Sequence, residues 1–144
     1  MPENLHLIHG DIHIKNVMLS DGEPMLNDMD TLSVRDPVFG FAGLITAYEL
    51  YNDDDHDNAM KFMGIPWELS RSVWKTLLTY YLDSPDTDTL AAAMDKVRVV
   101  GNLRFLNLVY AQHIGDEHLR MIRTDHAIRN LTELLPRVDD LTLS

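Results

Sequence analysis

The chain contains no cysteine. Disulfides, thiolate nucleophiles and cysteine-bound metals are therefore excluded, and the usage fits a reducing, cytoplasmic setting. Long apolar runs are missing too: no segment approaches the ~18 uninterrupted apolar residues that a membrane-spanning helix needs. The leading segment MPENLHLIHGD is acidic and poor in apolar residues, so it does not read as a secretory signal. Basic residues are scarce, with 12 Lys and Arg against 23 Asp and Glu, for a formal net charge of −11. That deficit argues against general nucleic-acid binding, which rests on cations neutralising phosphates, and against docking on anionic lipid. An acidic surface is compatible with a cationic small substrate, but its ordinary meaning is solubility. Internal repeats and low-complexity linkers are also lacking.

What is present is one domain over residues 1–144, with 45% apolar residues and enough length for a real core. The chain has two textures. Residues 5–40 are short apolar runs broken by polar clusters. LHLI, NVMLS and PMLNDMD read as short strands, the last two joined through DGE, where Asp21-Gly22 is a hairpin turn signal. RDPVFG reads as the turn that ends this part. Residues 41–144 carry helical periodicity. FAGLITAYELY is one helical run, and IPWELSRSVWKTLLTYYL opens on Pro66 as a first-turn proline with Glu68 close behind. A long helix follows, with Ser84 as N-cap and Pro85 in its first turn. Its stripe runs through Leu90, Met94, Val97, Gly101, Phe105 and Leu108, and it is expected to end near Gly115. DEHLRMIRTDHAIRNLTELLPRV is a last amphipathic helix closed by Pro136. The expected fold is mostly α (α+β): a small β-hairpin module that carries the chemistry, then a helical body.

The chemistry concentrates in HGDIHIKN, residues 9–16, and NDMD, residues 27–30. Asp11 and Asn16 are separated by four residues, and Asp28 follows Asn16 after one hairpin. Phosphoryl transfer from a Mg²⁺-nucleotide requires these residue types. One carboxylate orients the acceptor hydroxyl and takes its proton. An amide oxygen and a second carboxylate hold Mg²⁺, which prefers oxygen ligands. The protein mainly positions groups and neutralises charge. A strand out, a turn and a strand back would return Asp28 beside Asn16.

HGDIHIKNVMLSDGEPMLNDMDTLSVRDPVFGFA resembles the catalytic half of the aminoglycoside phosphotransferase and choline kinase-like superfamily, which has the protein-kinase fold. The resemblance rests on a His-Gly-Asp-x-His-x-x-Asn loop, a following metal motif with two acids, and an Asp-Pro motif. It implies that Asp11 is the catalytic base, that Asn16 and Asp28 bind Mg²⁺ and the nucleotide, ATP or GTP, and that Asp30 is the second acid of the metal motif. His9 would be a scaffold residue of the loop, and His13 matches the second histidine. Three positions depart from the pattern. Gly40 stands where the family usually has an aspartate that braces the catalytic loop, Arg35 replaces a glycine, and Asn27 replaces an apolar residue. Only eight residues precede the loop, with no glycine-rich segment or strand lysine to grip the phosphates. The chain thus reads as part of a kinase-like C-terminal lobe, inactive as an isolated fragment, whose apolar surface is completed by an N-terminal lobe or by a second copy in a homo-oligomer.

Other readings attach to the same residues. A non-catalytic oligomeric interaction module fits the absent lobe and Gly40. His6, His9 and His13 with Asp28 and Asp30 could form a small metal-dependent hydrolase site. NDDDHD, residues 52–57, has a superficial likeness to a Ca²⁺ loop but lacks the glycine and terminal glutamate. Trp67, Trp74, Tyr80 and Tyr81 could cage a cationic substrate or simply pack. The phosphoryl acceptor, a small molecule with a hydroxyl, is not named by the sequence.

Overall fold

The computed structural model describes residues 5–111 and 116–143. It is mostly helical, with a small antiparallel strand part at its beginning. Strand β1 (His6–Ile8) leads into the polar loop, and a short 3-10 turn (Ile14–Asn16) leads out of it. Strands β2 (Val17–Ser20) and β3 (Glu23–Leu26) form the expected hairpin, with Val17 opposite Leu26 and Ser20 opposite Glu23. Asp21 and Gly22 both take positive φ, 51° and 80°, which matches the right-handed strand twist of a two-residue hairpin turn. The third expected strand is shorter than PMLNDMD. It stops at Leu26, and Met29–Thr31 form a second 3-10 turn.

RDPVFG is not a turn. Arg35 ends strand β4 (Ser33–Arg35), which pairs antiparallel with β1, and Pro37 begins helix α1 (Pro37–Ile45). Asp36 is the N-cap: its Oδ1 accepts from the Val38 amide at 2.9 Å, with proline in the first turn behind it. Asp-Pro can open either a turn or a helix, and here the cap and the apolar residues after it decide. The same Oδ1 accepts from the Leu143 amide at 3.0 Å, which ties the C-terminal segment to the start of α1.

After α1 the backbone widens into a π-helical segment, Thr46–Leu50, before helix α2 (Tyr51–Asp53). Side chains take up the carbonyls that this widening releases. Asn52, fully buried, donates to the Ala47 and Tyr48 carbonyls, and the Ser70 hydroxyl also donates to Tyr48. The buried Arg123 donates to the Tyr51 carbonyl at 3.0 Å. Asn52 thus has a structural role rather than a place in a Ca²⁺ loop, and Asp54 of the same acidic run pairs with His126 at 3.1 Å.

Helices α3 (Asp57–Met63), α4 (Trp67–Tyr81), α5 (Thr87–Ala111) and α6 (Glu117–Leu134) complete the body. Pro66 lies one residue before α4. The expected N-cap of α5 is displaced. Ser84 sits in the left-handed region at φ 56°, and Asp86 instead accepts from the Thr89 amide at 2.7 Å. A carboxylate caps at least as well as a hydroxyl and adds a favourable charge to the first turn. The expected end near Gly115 lies outside the described residues. Asp116 caps α6, and a 3-10 turn containing Pro136 closes it, as the sequence suggests. The stripe of α5 is buried at Val97, Gly101 and Phe105 and packs on α1. A Cβ on Gly101 would lie 2.3 Å from the Ile45 side chain, so the two helices meet through a missing side chain.

The four aromatic residues of α4 do not form a cage. Trp74 is fully buried, Tyr81 meets Phe41 edge-on, and Tyr80 points to solvent. The cations over the tryptophans are the protein's own: Arg71 on Trp67, and Lys75 and Arg98 on Trp74.

Helices α4, α5 and α6 and the π segment line a polar cleft of about 250 Å³. Arg71 reaches Glu49 and Asp53 at 3.7 and 3.8 Å, and Lys75 reaches Glu49 at 3.8 Å. These are long contacts, and Asp53 Oδ1 has no hydrogen-bond partner among the described residues. Burial, aided by the neighbouring Glu49, pushes the Asp53 carboxyl up to about 6, and Arg71 and His126 only partly oppose this. A raised carboxyl favours folding in its protonated form. Its contribution is therefore full below the unfolded value and is lost as pH rises through about 6. Asp53→Asn should raise the thermal midpoint relative to wild type by more at pH 7.5 than at pH 4, the gap being on the order of 1–2 kcal/mol after allowing for solvent screening. Thermal unfolding at both pH values checks this; an unchanged gap would mean that Asp53 keeps its charge at no cost.

Candidate functional site

The polar loop is held by His9, which is buried. Its Nε2 lies 2.7 Å from the Asn27 carbonyl. A carbonyl can only accept, so Nε2 carries the proton, and Nδ1 is left to accept from the Asp11 amide at 3.3 Å. One neutral imidazole thus links the loop that presents Asp11 to the residue immediately before Asp28. Both ring nitrogens are engaged, so His9 has no lone pair for a metal.

Asn16 provides the second link. Its amide nitrogen donates to the Asp11 carbonyl at 2.9 Å and approaches the Asp11 carboxylate at 3.4 Å and His13 Nε2 at 3.2 Å. Its backbone carbonyl accepts from the Asn27 amide at 2.7 Å, closing the base of the hairpin. With the nitrogen turned toward Asp11, Oδ1 is the end of the amide that remains to ligate a cation, and among the described residues it accepts no hydrogen bond. Asp28 follows directly, exposed and in the left-handed region at φ 57° and ψ 76°. A non-glycine residue held there is strained, a condition that concentrates at functional sites.

The loop backbone is also clamped from two sides. The Thr31 hydroxyl donates to the His9 carbonyl. On the other side α1 approaches so closely that a Cβ on Gly43 would sit 2.9 Å from the Gly10 carbonyl oxygen. Gly10 itself has φ +85° and faces Thr31. Gly40, where the resembled family has a bracing aspartate, faces Ile8 at 3.7 Å, so the hold on the loop comes from Thr31 and Gly43 instead. Tyr48 of the π segment adds a further contact: burial raises its phenol, and a hydrogen bond with the Ile14 backbone opposes that shift.

Asp11 itself stays accessible, with 41% of its side chain exposed. It opens onto a cavity of about 400 Å³ between the loop, the π segment, α3 and α5. His13 lines the same cavity, its Nε2 3.6 Å from Asp11 Oδ2 and its ring edge-on to Phe62. His13 Nδ1 is buried and has no partner among the described residues.

The structure therefore gathers His9, Asp11, His13 and Asn16, and Asp28 adjoins Asn27, whose carbonyl and amide bond His9 and Asn16. Asp30 is separated from Asp11: it lines a neighbouring groove with Arg35 and Arg104. Among the described residues no group of three or more His, Asp or Glu side chains converges as a metal cage. Sequence reasoning missed Thr31, Tyr48 and the cavity residues of α3 and α5, because none belongs to a local pattern. Only the apolar stripe of α5, which places Arg104 one residue before Phe105, offered a signal.

Adding a methyl at Gly43 forces backbone against backbone. Gly43→Ala should cost about 1–3 kcal/mol and shift the amide resonances of His9 to His13. Gly40→Ala on the same helix has room and should fall within about 0.5 kcal/mol of wild type or be more stable. Urea unfolding and amide spectra of both variants test the contrast; equal behaviour would mean that the loop is not wedged. Comparison of the chain with family models, with curated proteins and with solved structures gave no match.

Proposed function

We propose that this chain carries the catalytic part of a Mg²⁺-dependent phosphotransferase of the kinase-like type. It would move the terminal phosphoryl group of ATP or GTP to a hydroxyl of a small molecule. The observation that carries the reading is the double hydrogen bond of His9, which fixes a solvent-open carboxylate against the residue preceding a second carboxylate. Such coupling has an evident use where a base and a metal-ligating acid must act on one phosphoryl group.

In this reading Asp11 orients the acceptor hydroxyl and takes its proton as the oxygen bonds to phosphorus, while the bond from phosphorus to the nucleoside diphosphate breaks. Asn16 Oδ1 and the Asp28 carboxylate are the ligands for Mg²⁺, whose chemistry would be to neutralise the phosphate charge. The donor set fits a hard cation: one amide oxygen and one carboxylate, with the remaining positions left to phosphate and water. Asp30 is an outer contributor, and His13 steadies the loop. A nucleotide-gripping segment would come from elsewhere in a longer protein or from another chain, and the absence of cysteine accords with a cytoplasmic setting. No helix among the described residues is long and apolar enough to cross a membrane.

Calorimetric titration with ATP, with and without Mg²⁺, tests the site. Mg²⁺-dependent binding should be lost in Asp28→Ala and kept in Asp11→Asn, which should instead abolish transfer. Binding indifferent to Mg²⁺ or to Asp28 would overturn the assignment.

A second reading has its own support. Leu7, Met18, Leu19, Met25 and Val34 of the strand part are exposed, Leu7 and Leu19 by 70% and 73%. A lone two-stranded hairpin is marginal in water, so this apolar face suits a covering partner, either a preceding lobe or a second copy. Sedimentation at tens of micromolar should reveal a homo-oligomer that Leu19→Lys with Met25→Lys dissociates. A clean wild-type monomer would remove the second copy from consideration.

A further inference from the structure

The cavity that Asp11 faces has an uneven distribution of charge. Asp11 is the single carboxylate among its lining residues, and Arg104 is their single permanent cation. Arg71, Lys75, Lys96, Arg98 and Arg137 each lie within 4 Å of a carboxylate. Arg104 is among the Lys and Arg residues that have no carboxylate within 4 Å among the described residues, and of these it alone lines the cavity. Its position is fixed by the long helix α5, where the next residue, Phe105, is buried against Tyr51. Arg104 and Tyr51 line the same cavity; burial raises the Tyr51 phenol, and Arg123 and then Arg104 pull it back. Lys15 adds a second positive charge, its ammonium 4.3 Å from the ring centre of Phe62, which forms part of the cavity wall.

We propose that the cavity binds a hydroxylated acceptor bearing an anionic group, a carboxylate or a phosphate monoester, with Arg104 on the anion and the hydroxyl at Asp11. The inference rests on the phosphotransferase reading for the role of Asp11, but the binding of the anion does not. Arg104 has the right chemistry for this, because a guanidinium offers a planar fork of donors to either oxyanion. The Tyr51 hydroxyl supplies a neutral donor beside it. The volume, about 400 Å³, lies in the range of small-molecule sites. In a chain of net charge −11 an anionic ligand is repelled at long range, so an unpaired cation at the site is what its recognition requires. A cationic acceptor would meet the guanidinium instead, and the two tryptophans of α4 are occupied by the protein's own cations.

The test is an amide-resonance titration of the whole chain, without nucleotide, using D-glycerate, glycerol 3-phosphate, glycerol and ethanolamine. D-glycerate or glycerol 3-phosphate should give saturable shifts at Ala47, Tyr51, Asn58 and Phe62, and the stronger of the two identifies the anion. Glycerol and ethanolamine should bind at least tenfold more weakly. Arg104→Gln should weaken the anion by about tenfold or more, as expected for loss of a charge-assisted contact, and Arg104→Lys should restore part of it. Arg104 is exposed, so both variants should fold. Equal or tighter binding of glycerol or ethanolamine, no saturable shift with either anion, or indifference to Arg104→Gln would each overturn the proposal. Anion binding without Mg²⁺-ATP-dependent phosphorylation by any assembled form would leave the anion site standing and remove the phosphotransferase reading. Phosphorylation of a cationic acceptor alone would do the reverse.

Discussion

Everything at the candidate site depends on the neutral His9 imidazole between the Asn27 carbonyl and the Asp11 amide. The loop from Gly10 to Asn16 has almost no regular structure of its own. The hairpin beyond it has only two strands and an exposed surface. Neither would hold a carboxylate in place alone. A buried ring that donates on one side and accepts on the other makes them a unit, and the Asn16 amide closes the same unit from below. Protonation of His9 would convert an acceptor into a donor facing the Asp11 N–H, so the link requires the neutral ring.

The helical body sets this unit against a wall. Helix α1 meets the loop at Gly43 and meets α5 at Ile45, opposite Gly101. The π segment that follows turns Thr46 and Ala47 toward the cavity, Tyr48 toward the loop and Glu49 toward the ion-pair cluster. One local widening thus serves three surroundings, and its irregular backbone is satisfied by Asn52, Ser70 and Arg123. The two polar regions of the molecule contrast in kind. The cluster of Glu49, Asp53, Arg71 and Lys75 sets two carboxylates against two cations within 4 Å. The cavity at Asp11 holds a carboxylate and a guanidinium that do not pair with one another.

Much of this was legible from residue pattern. The hairpin followed from Asp21-Gly22 between apolar runs, the long helices from period and proline placement, and the contact of Asn16 with Asp11 is one that their spacing in a single loop allows. Strand β4 was not legible, because three residues carry too little alternation and its partner β1 lies far back in the chain. RDPVFG misled because a cap followed by proline is also a turn signal. Ser84 misled because Asp86, two residues later, competes for the same role. Arg104 was legible only in part: the stripe of α5 fixes its place on the helix, but no window of sequence contains both it and Asp11.

The bond from the Leu143 amide to Asp36 spans 107 residues and has a consequence for synthesis. While the chain is emerging from a ribosome, the helix-capping carboxylate can serve the Val38 amide alone, and its second partner is made 107 residues later. Contacts of such long range slow folding, and until this one forms the start of α1 and the C-terminal segment are untied, an interval in which a chaperone or a neighbouring copy has access to them.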